Sequence, residues 1–296
     1  MLPRVRFGRT GLEVPRLGIG GYPFGGVNRA RGWDSFTPDG RRTAIATIHA
    51  ALDAGITYID TAPGYGDGNS ESIYGEALQG RRNGVILATK VGYRQSAADV
   101  VASVEASLRR LQTDHVDIIQ FHGGEYTRED VRHIVDDGLL AAFEELRTRG
   151  LAGFLGFTTE EPWTALPLIA TGRFDMVQLR YNFIYQAAAE HALDRAQEMD
   201  LGVAVMRPMT SGVLQRIASY LAPKWNDAHD IYEVALKFVL SDSRVHVANV
   251  GMRWLEEVAR NVALVEGFVP PFDMAKLPRR TATIYRTDDQ MHGIAE

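Results

Sequence analysis

Eight apolar runs of strand length recur along this chain and end near Gly20, Asp60, Lys90, His122, Thr158, Tyr181, Arg207 and Gly251. Segments with helical spacing fill the intervals. The runs are nearly continuous rather than alternating, as in Gly55-Ile56-Thr57-Tyr58-Ile59-Asp60 and Val85-Ile86-Leu87-Ala88-Thr89-Lys90. Parallel strands covered on both faces have this pattern. Eight strand–helix units in 296 residues predict an α/β fold, a (β/α)8 TIM barrel. A doubly wound sheet is the competitor, but Gly18-Ile19-Gly20-Gly21-Tyr22 does not match the spacing of its glycine fingerprint.

Local signals fill in this frame. Val5 and Phe7, a Gly11 turn, then Leu12 and Val14 predict a short N-terminal β-hairpin. A helix over Thr43 to Ala54 carries Ile45, Ile48 and Leu52 and stops at Gly55. Ser96 caps a helix bearing Val100, Val104 and Leu108. Leu139, Leu140, Phe143 and Leu146 share a face of another, which ends before Gly150. Leu255, Val258, Ala259 and Val262 form the stripe of the last long helix. No linker divides the chain, so residues 1–296 read as one barrel domain. The irregular segments 21–40 and 270–296, together with segment 123–137 after His122, are the expected substrate loops.

Composition narrows the function. A net charge of -5 offers no basic field for nucleic acid or an anionic membrane. The absence of cysteine excludes disulfides, thiolate metal sites and a cysteine nucleophile. The histidines have no metal-site spacing. No stretch approaches the ~18 apolar residues of a membrane helix, and the N-terminus has no apolar signal region, which points to a cytoplasmic enzyme. Nothing in the composition reads out an oligomeric state.

A barrel gathers its strand ends on one face, so Asp60, Tyr65, Lys90 and His122 would converge there. Each alone has an ordinary explanation: a turn cap, a packing aromatic, a solvated charge, a satisfied imidazole. Together they suit carbonyl reduction. A phenol has an ordinary pKa near 10 and needs a neighbouring cation to lower it. Lys90 supplies the cation, Asp60 holds the lysine, and His122 orients the carbonyl. Tyr65 gives the proton while a reduced nicotinamide gives the hydride. A barrel aldolase or lyase using Lys90 as a Schiff base is a second reading. A non-catalytic NADPH-sensing subunit is a third.

The sequence resembles the aldo-keto reductase superfamily over nearly its whole length. Asp60-Thr61-Ala62-x-x-Tyr65-Gly66 looks like its signature, with Ser70-Glu71 and Gly75 in the expected places. Ala88-Thr89-Lys90 resembles its lysine strand and Gln120-Phe121-His122 its histidine strand. The resemblance implies that Asp60, Tyr65, Lys90 and His122 are a catalytic tetrad acting on a small-molecule carbonyl or alcohol.

On the cofactor side the resemblance implies contacts from Gly21, Tyr22, Thr158, Thr159, Gln178, Met206, Arg207, Pro208, Gly251, Arg253, Glu257 and Asn261. Gln178 looks like the glutamine that holds the nicotinamide carboxamide. Thr158-Thr159 stands where the family has Ser-Asn. Met206-Arg207-Pro208 stands where many members have a tyrosine under the ring. Arg207 would reach the pyrophosphate or form a salt bridge at the barrel mouth. Arg253 is the candidate for the adenosine 2′-phosphate, with helix amides nearby. Glu257 would repel that phosphate and suit NAD. NADP(H) is the expected cofactor, with NAD(H) as the alternative.

Overall fold

The computed structural model describes residues 1–27, 32–224 and 230–274. Strands β1 (Arg4–Arg6) and β2 (Glu13–Pro15) form the antiparallel hairpin, with Val5 opposite Val14. Eight parallel strands follow: β3 (Leu17–Gly20), β4 (Tyr58–Asp60), β5 (Ile86–Val91), β6 (Val116–Phe121), β7 (Ala152–Thr159), β8 (Met176–Arg180), β9 (Gly202–Met206) and β10 (Val247–Gly251). They pair in chain order, and β10 pairs with β3 to close the barrel.

Strand alternation sorts the side chains into two buried sets. Tyr58, Ile86, Ala88, Ile118, Met176, Ala204 and Val247 point into the barrel. Phe7, beyond β1, meets Tyr58 edge-on at 5.7 Å and plugs the hairpin end. Leu87, Ile119, Leu155, Val177 and Val203 face outward into the core beneath the helices. Both faces are covered, which explains why the strands read as continuous apolar runs.

Helix boundaries follow their caps. The first long helix spans Pro38–Asp53 and so begins before Thr43. Thr37 accepts the Gly40 N–H, and Pro38 sits in the first turn, where its missing N–H costs nothing. The chain then turns at Gly55 with φ +88°. Ser96 caps Ala97–Leu111 by accepting the Asp99 N–H.

The last helix, Leu255–Val265, is present, but its inward stripe is rotated from the predicted one. Val258, Asn261 and Val265 are buried, whereas Leu255 and Ala259 are exposed. Asn261 occupies a core-facing position that a hydrophobic pattern cannot detect. Of the expected substrate loops, 123–137 contains a helix (Arg128–Asp136) with a Thr127–Asp130 capping box. Residues 28–31 of the 21–40 loop, and 275–296 of the tail, lie outside the described residues. Among the described residues no helix is long and apolar enough to cross a membrane.

Candidate active site

Asp60 ends β4, Lys90 stands one residue before the end of β5, and His122 follows β6 directly. Tyr65 rides on the turn after β4. That turn needs left-handed backbone at Gly66, Asp67 and Gly68. It packs backbone against backbone on the first loop: a Cβ at Gly66 would fall 2.7 Å from the Gly25 Cα. Only glycine permits this approach.

Lys90 is 1% exposed and Asp60 4%. The Lys90 Nζ donates to Asp60 Oδ2 at 2.7 Å, to the Thr61 carbonyl at 2.8 Å and to the Tyr65 hydroxyl at 3.1 Å. An ammonium has three N–H groups, so these three acceptors saturate it. Because the phenol oxygen accepts from Lys90, its own O–H is left to point into the mouth. The His122 ring stands edge-on to Tyr65 at 5.7 Å, in the same mouth.

The charges follow from this geometry. Burial alone would lower the Lys90 pKa, but Asp60 and Tyr65 outweigh it, and the pKa is raised. The ammonium is therefore charged. Burial raises the Tyr65 pKa, and Lys90 offsets only part of that rise. The sequence predicts that the cation dominates; desolvation wins instead, and Tyr65 is a protonated phenol at neutral pH. His122 is open at the mouth, yet its walls desolvate it and Lys90 repels a second positive charge. Its pKa falls to about 4, so it is neutral.

The rest of the signature supports this site from below. Ser70 donates to the Gly21 carbonyl at 2.9 Å and meets Thr61 at 2.8 Å. Glu71 is fully buried between Thr89 at 2.6 Å and Arg110 at 2.7 Å. A Cβ at Gly75 would lie 2.4 Å from the Arg110 carbonyl, so helices Asn69–Ala77 and Ala97–Leu111 touch there.

The cofactor-side residues lie along the rim, and several have other work. Thr158 Oγ1 donates to the Gly123 carbonyl at 3.0 Å and accepts its N–H at 3.1 Å. Thr159 turns outward and bonds the carbonyls of Gly124 at 2.9 Å and Glu161 at 3.0 Å. Both threonines thus hold the loop after His122. Gln178 points inward, with Nε2 3.5 Å from Asp60 Oδ1 and Oε1 accepting from Asn249. Met206 and the buried Pro208 follow on β9 and its loop.

Arg207 takes left-handed backbone and pairs with Glu160 at 2.8 Å, the salt-bridge reading of this residue. Beside it, Arg180 pairs with Glu161 at 2.6 Å and lies 3.6 Å from the Tyr185 ring centre. Tyr22 is exposed and edge-on to Tyr65 at 5.4 Å, next to Gly21. Gly251 approaches Pro23, since a Cβ there would fall 2.7 Å from its Cγ. At the far end Arg253 pairs with Glu257 at 2.6 Å, and Glu257 also accepts the Arg253 N–H at 2.6 Å. Asn261 is buried one turn further along.

Comparison with known proteins decides the family. Residues 16–277 match the model of the Aldo/keto reductase family. The chain belongs to that family. Aldo-keto reductase YhdN of Bacillus subtilis (strain 168) is 33% identical over 222 residues, covering 69% of this chain and 61% of that protein. The chain thus matches less than two thirds of that relative's length. The NADH-specific methylglyoxal reductase of Escherichia coli (strain K12) is 28% identical over 233 residues, covering 72% of this chain and 69% of that protein. Among solved structures, aldo-keto reductase AKR11C1 from Bacillus halodurans (holo form) superposes with a TM-score of 0.78 at 27% identity, covering 94% of this chain and 95% of that one.

Sequence reasoning misses several residues of this candidate site. Gln120 bonds Asp60, Asn249 bonds Gln178, and the Glu160–Arg207 and Glu161–Arg180 pairs line the rim. Gln120 and Asn249 are detectable in principle, because each lies two residues before a strand-end residue and must share its face. The rim pairs join residues distant in sequence and leave no local signal.

Proposed function

We propose that this chain is a nicotinamide-dependent oxidoreductase that reduces an aldehyde or ketone to an alcohol, or runs the reverse. The observation that carries this reading is the saturation of Lys90, which leaves a protonated Tyr65 facing the mouth. The carbonyl oxygen would sit between the Tyr65 hydroxyl and the neutral His122, which offers a ring N–H. Tyr65 passes its proton to the oxygen as alkoxide charge develops, and the Lys90 ammonium stabilises the phenolate left behind.

The residues present fit a nicotinamide dinucleotide. Gln178 brings a buried amide beside the tetrad, Met206 an apolar surface on the rim, and Arg253 a guanidinium at a helix start. When bound, the reduced nicotinamide supplies the hydride to the carbonyl carbon. Gln178 would hold the carboxamide, with Thr158, Thr159, Gly21 and Tyr22 as the walls of that seat. Met206 would lie against the ring through its polarizable sulfur. Arg207 and Pro208 would flank the pyrophosphate, and Gly251, Arg253, Glu257 and Asn261 the adenosine.

NADP(H) is the cofactor we propose, on the guanidinium of Arg253. One observation favours NAD(H) as a second reading: Glu257 already neutralises Arg253 and holds its backbone N–H. A tryptophan-fluorescence titration with NADPH and NADH separates the two.

A Schiff-base role for Lys90 requires a neutral amine, and a raised pKa with three bound acceptors opposes it. The decisive experiment is turnover of a carbonyl panel by the wild type and by Tyr65→Phe. Unchanged turnover in the variant sinks the assignment. Tight cofactor binding with no turnover by the wild type would revive the sensing-subunit reading.

A further inference from the structure

We propose that Gln120 is a positioning residue for the tetrad, and that it fixes the Asp60 carboxylate in the orientation that holds Lys90. The inference rests on the reading of Asp60, Tyr65 and Lys90 given above.

Gln120 sits on β6 in register with Lys90 on β5, with its side chain turned into the barrel. It is completely buried. Its Nε2 donates to Asp60 Oδ1 at 3.0 Å, while Lys90 holds Oδ2 at 2.7 Å. The two carboxylate oxygens are thus gripped from two neighbouring strands. Rotation of the carboxylate would break both bonds at once.

The other half of the amide argues for a function. Gln120 Oε1 is buried with no hydrogen-bond partner in the protein. A buried amide satisfied on one side only is a net cost, and an apolar residue of similar volume would pack there without it. What the amide contributes is a neutral donor to a buried carboxylate. A cation there would compete with Lys90, and a second carboxylate would repel Asp60. Gln178, tethered by Asn249, lies 3.5 Å from the same Oδ1 and is too distant to replace it.

The test compares Gln120→Leu and Gln120→Glu with wild type for kcat and KM across pH, for NADPH and NADH dissociation constants by fluorescence, and for thermal midpoint. Gln120→Leu is expected to lower kcat about tenfold or more at every pH, with cofactor affinity within about twofold of wild type. Gln120→Glu carries the sharper signature. Only its protonated acid can donate to Asp60 as the amide does, so its kcat should climb towards wild type as pH falls.

Wild-type kcat in Gln120→Leu, with Tyr65→Phe inactive, overturns the role of Gln120 and leaves the proposed function standing. If Tyr65→Phe is fully active, the underlying reading fails instead. If Gln120→Leu does not fold, the Gln120→Glu profile decides: one parallel to wild type refutes the proposal. A kcat loss that vanishes after correction for folded fraction also refutes it, since that is a structural effect alone.

Discussion

Lys90 meets Tyr65 at its hydroxyl. Its ammonium donates to the phenol oxygen at 3.1 Å and lies 4.7 Å from the centre of the same ring. This hydrogen bond favours negative charge on the phenol oxygen, and the two distances together put the ammonium at the hydroxyl edge of the ring. Asp60 and the Thr61 carbonyl hold Lys90 in this place in either protonation state of the phenol.

Removing the proposed acid while keeping the ring should abolish most chemistry. Tyr65→Phe is expected to lower kcat by about 10²–10⁴, the usual contribution of a positioned general acid. Fluorescence titration should give an unchanged cofactor dissociation constant.

Asp60 and Lys90 act on the Tyr65 pKa with opposite sign: the carboxylate raises it and the ammonium lowers it. Reduction needs the phenol and declines as pH rises through that pKa; alcohol oxidation needs the phenolate and rises there. In Asp60→Asn the alkaline limb should move to lower pH. In Lys90→Met it should move to higher pH. Residual rates measured in both directions across pH test the two signs together.

All four residues of the proposed tetrad are legible in the sequence, because each stands at or just past a strand end. Their charge states are not. The pKa of Tyr65 depends on how completely the walls desolvate it, a property of loops far apart in sequence. Gln120 enters the sequence reading only as part of a matching strand, although its place two residues before His122 puts it on the same face. The stripe of Leu255–Val265 is rotated from its predicted position because Asn261 points inward while Leu255 does not. Thr159 suggests a cofactor contact by its chemistry, but strand parity turns its hydroxyl outward.

The cofactor question has a single-residue test. Glu257→Gln frees the Arg253 guanidinium while keeping the shape of the side chain. Affinity for NADPH should rise about tenfold or more, as a charge-assisted bond to phosphate becomes available, with NADH affected much less. Equal changes for the two nucleotides would show that Arg253 does not reach the 2′-phosphate.

Acid should weaken the fold through His246. Its Nδ1 accepts the Val203 N–H at 2.9 Å, and burial, then Arg16 and Arg6, hold its pKa at about 4, below the ordinary 6.5. The unfolded chain binds more protons between these values, so this contribution is present above pH 6.5 and is lost as pH falls towards 4. His246→Asn retains an acceptor near that position and cannot titrate. Urea denaturation across this range should show a shallower loss in the variant.

At Gly75 the helices leave no room for a side chain. Gly75→Ala forces a Cβ against the Arg110 carbonyl and should cost about 1–3 kcal/mol. Chemical denaturation measures this directly. The loss should appear in stability while kcat per folded molecule is preserved.

The back-to-back contact of Gly25 and Gly66 limits how this protein can acquire new substrates. The loop after β3, one of the expected substrate loops, is also the surface on which the turn of Tyr65, the proposed proton donor, rests. Sequence drift at its glycine would displace Tyr65 along with the wall. With Tyr65 as the proposed acid, selectivity can change freely only where a loop does not carry it, so diversification is steered towards the segment beyond His122 and away from the first turn of the barrel.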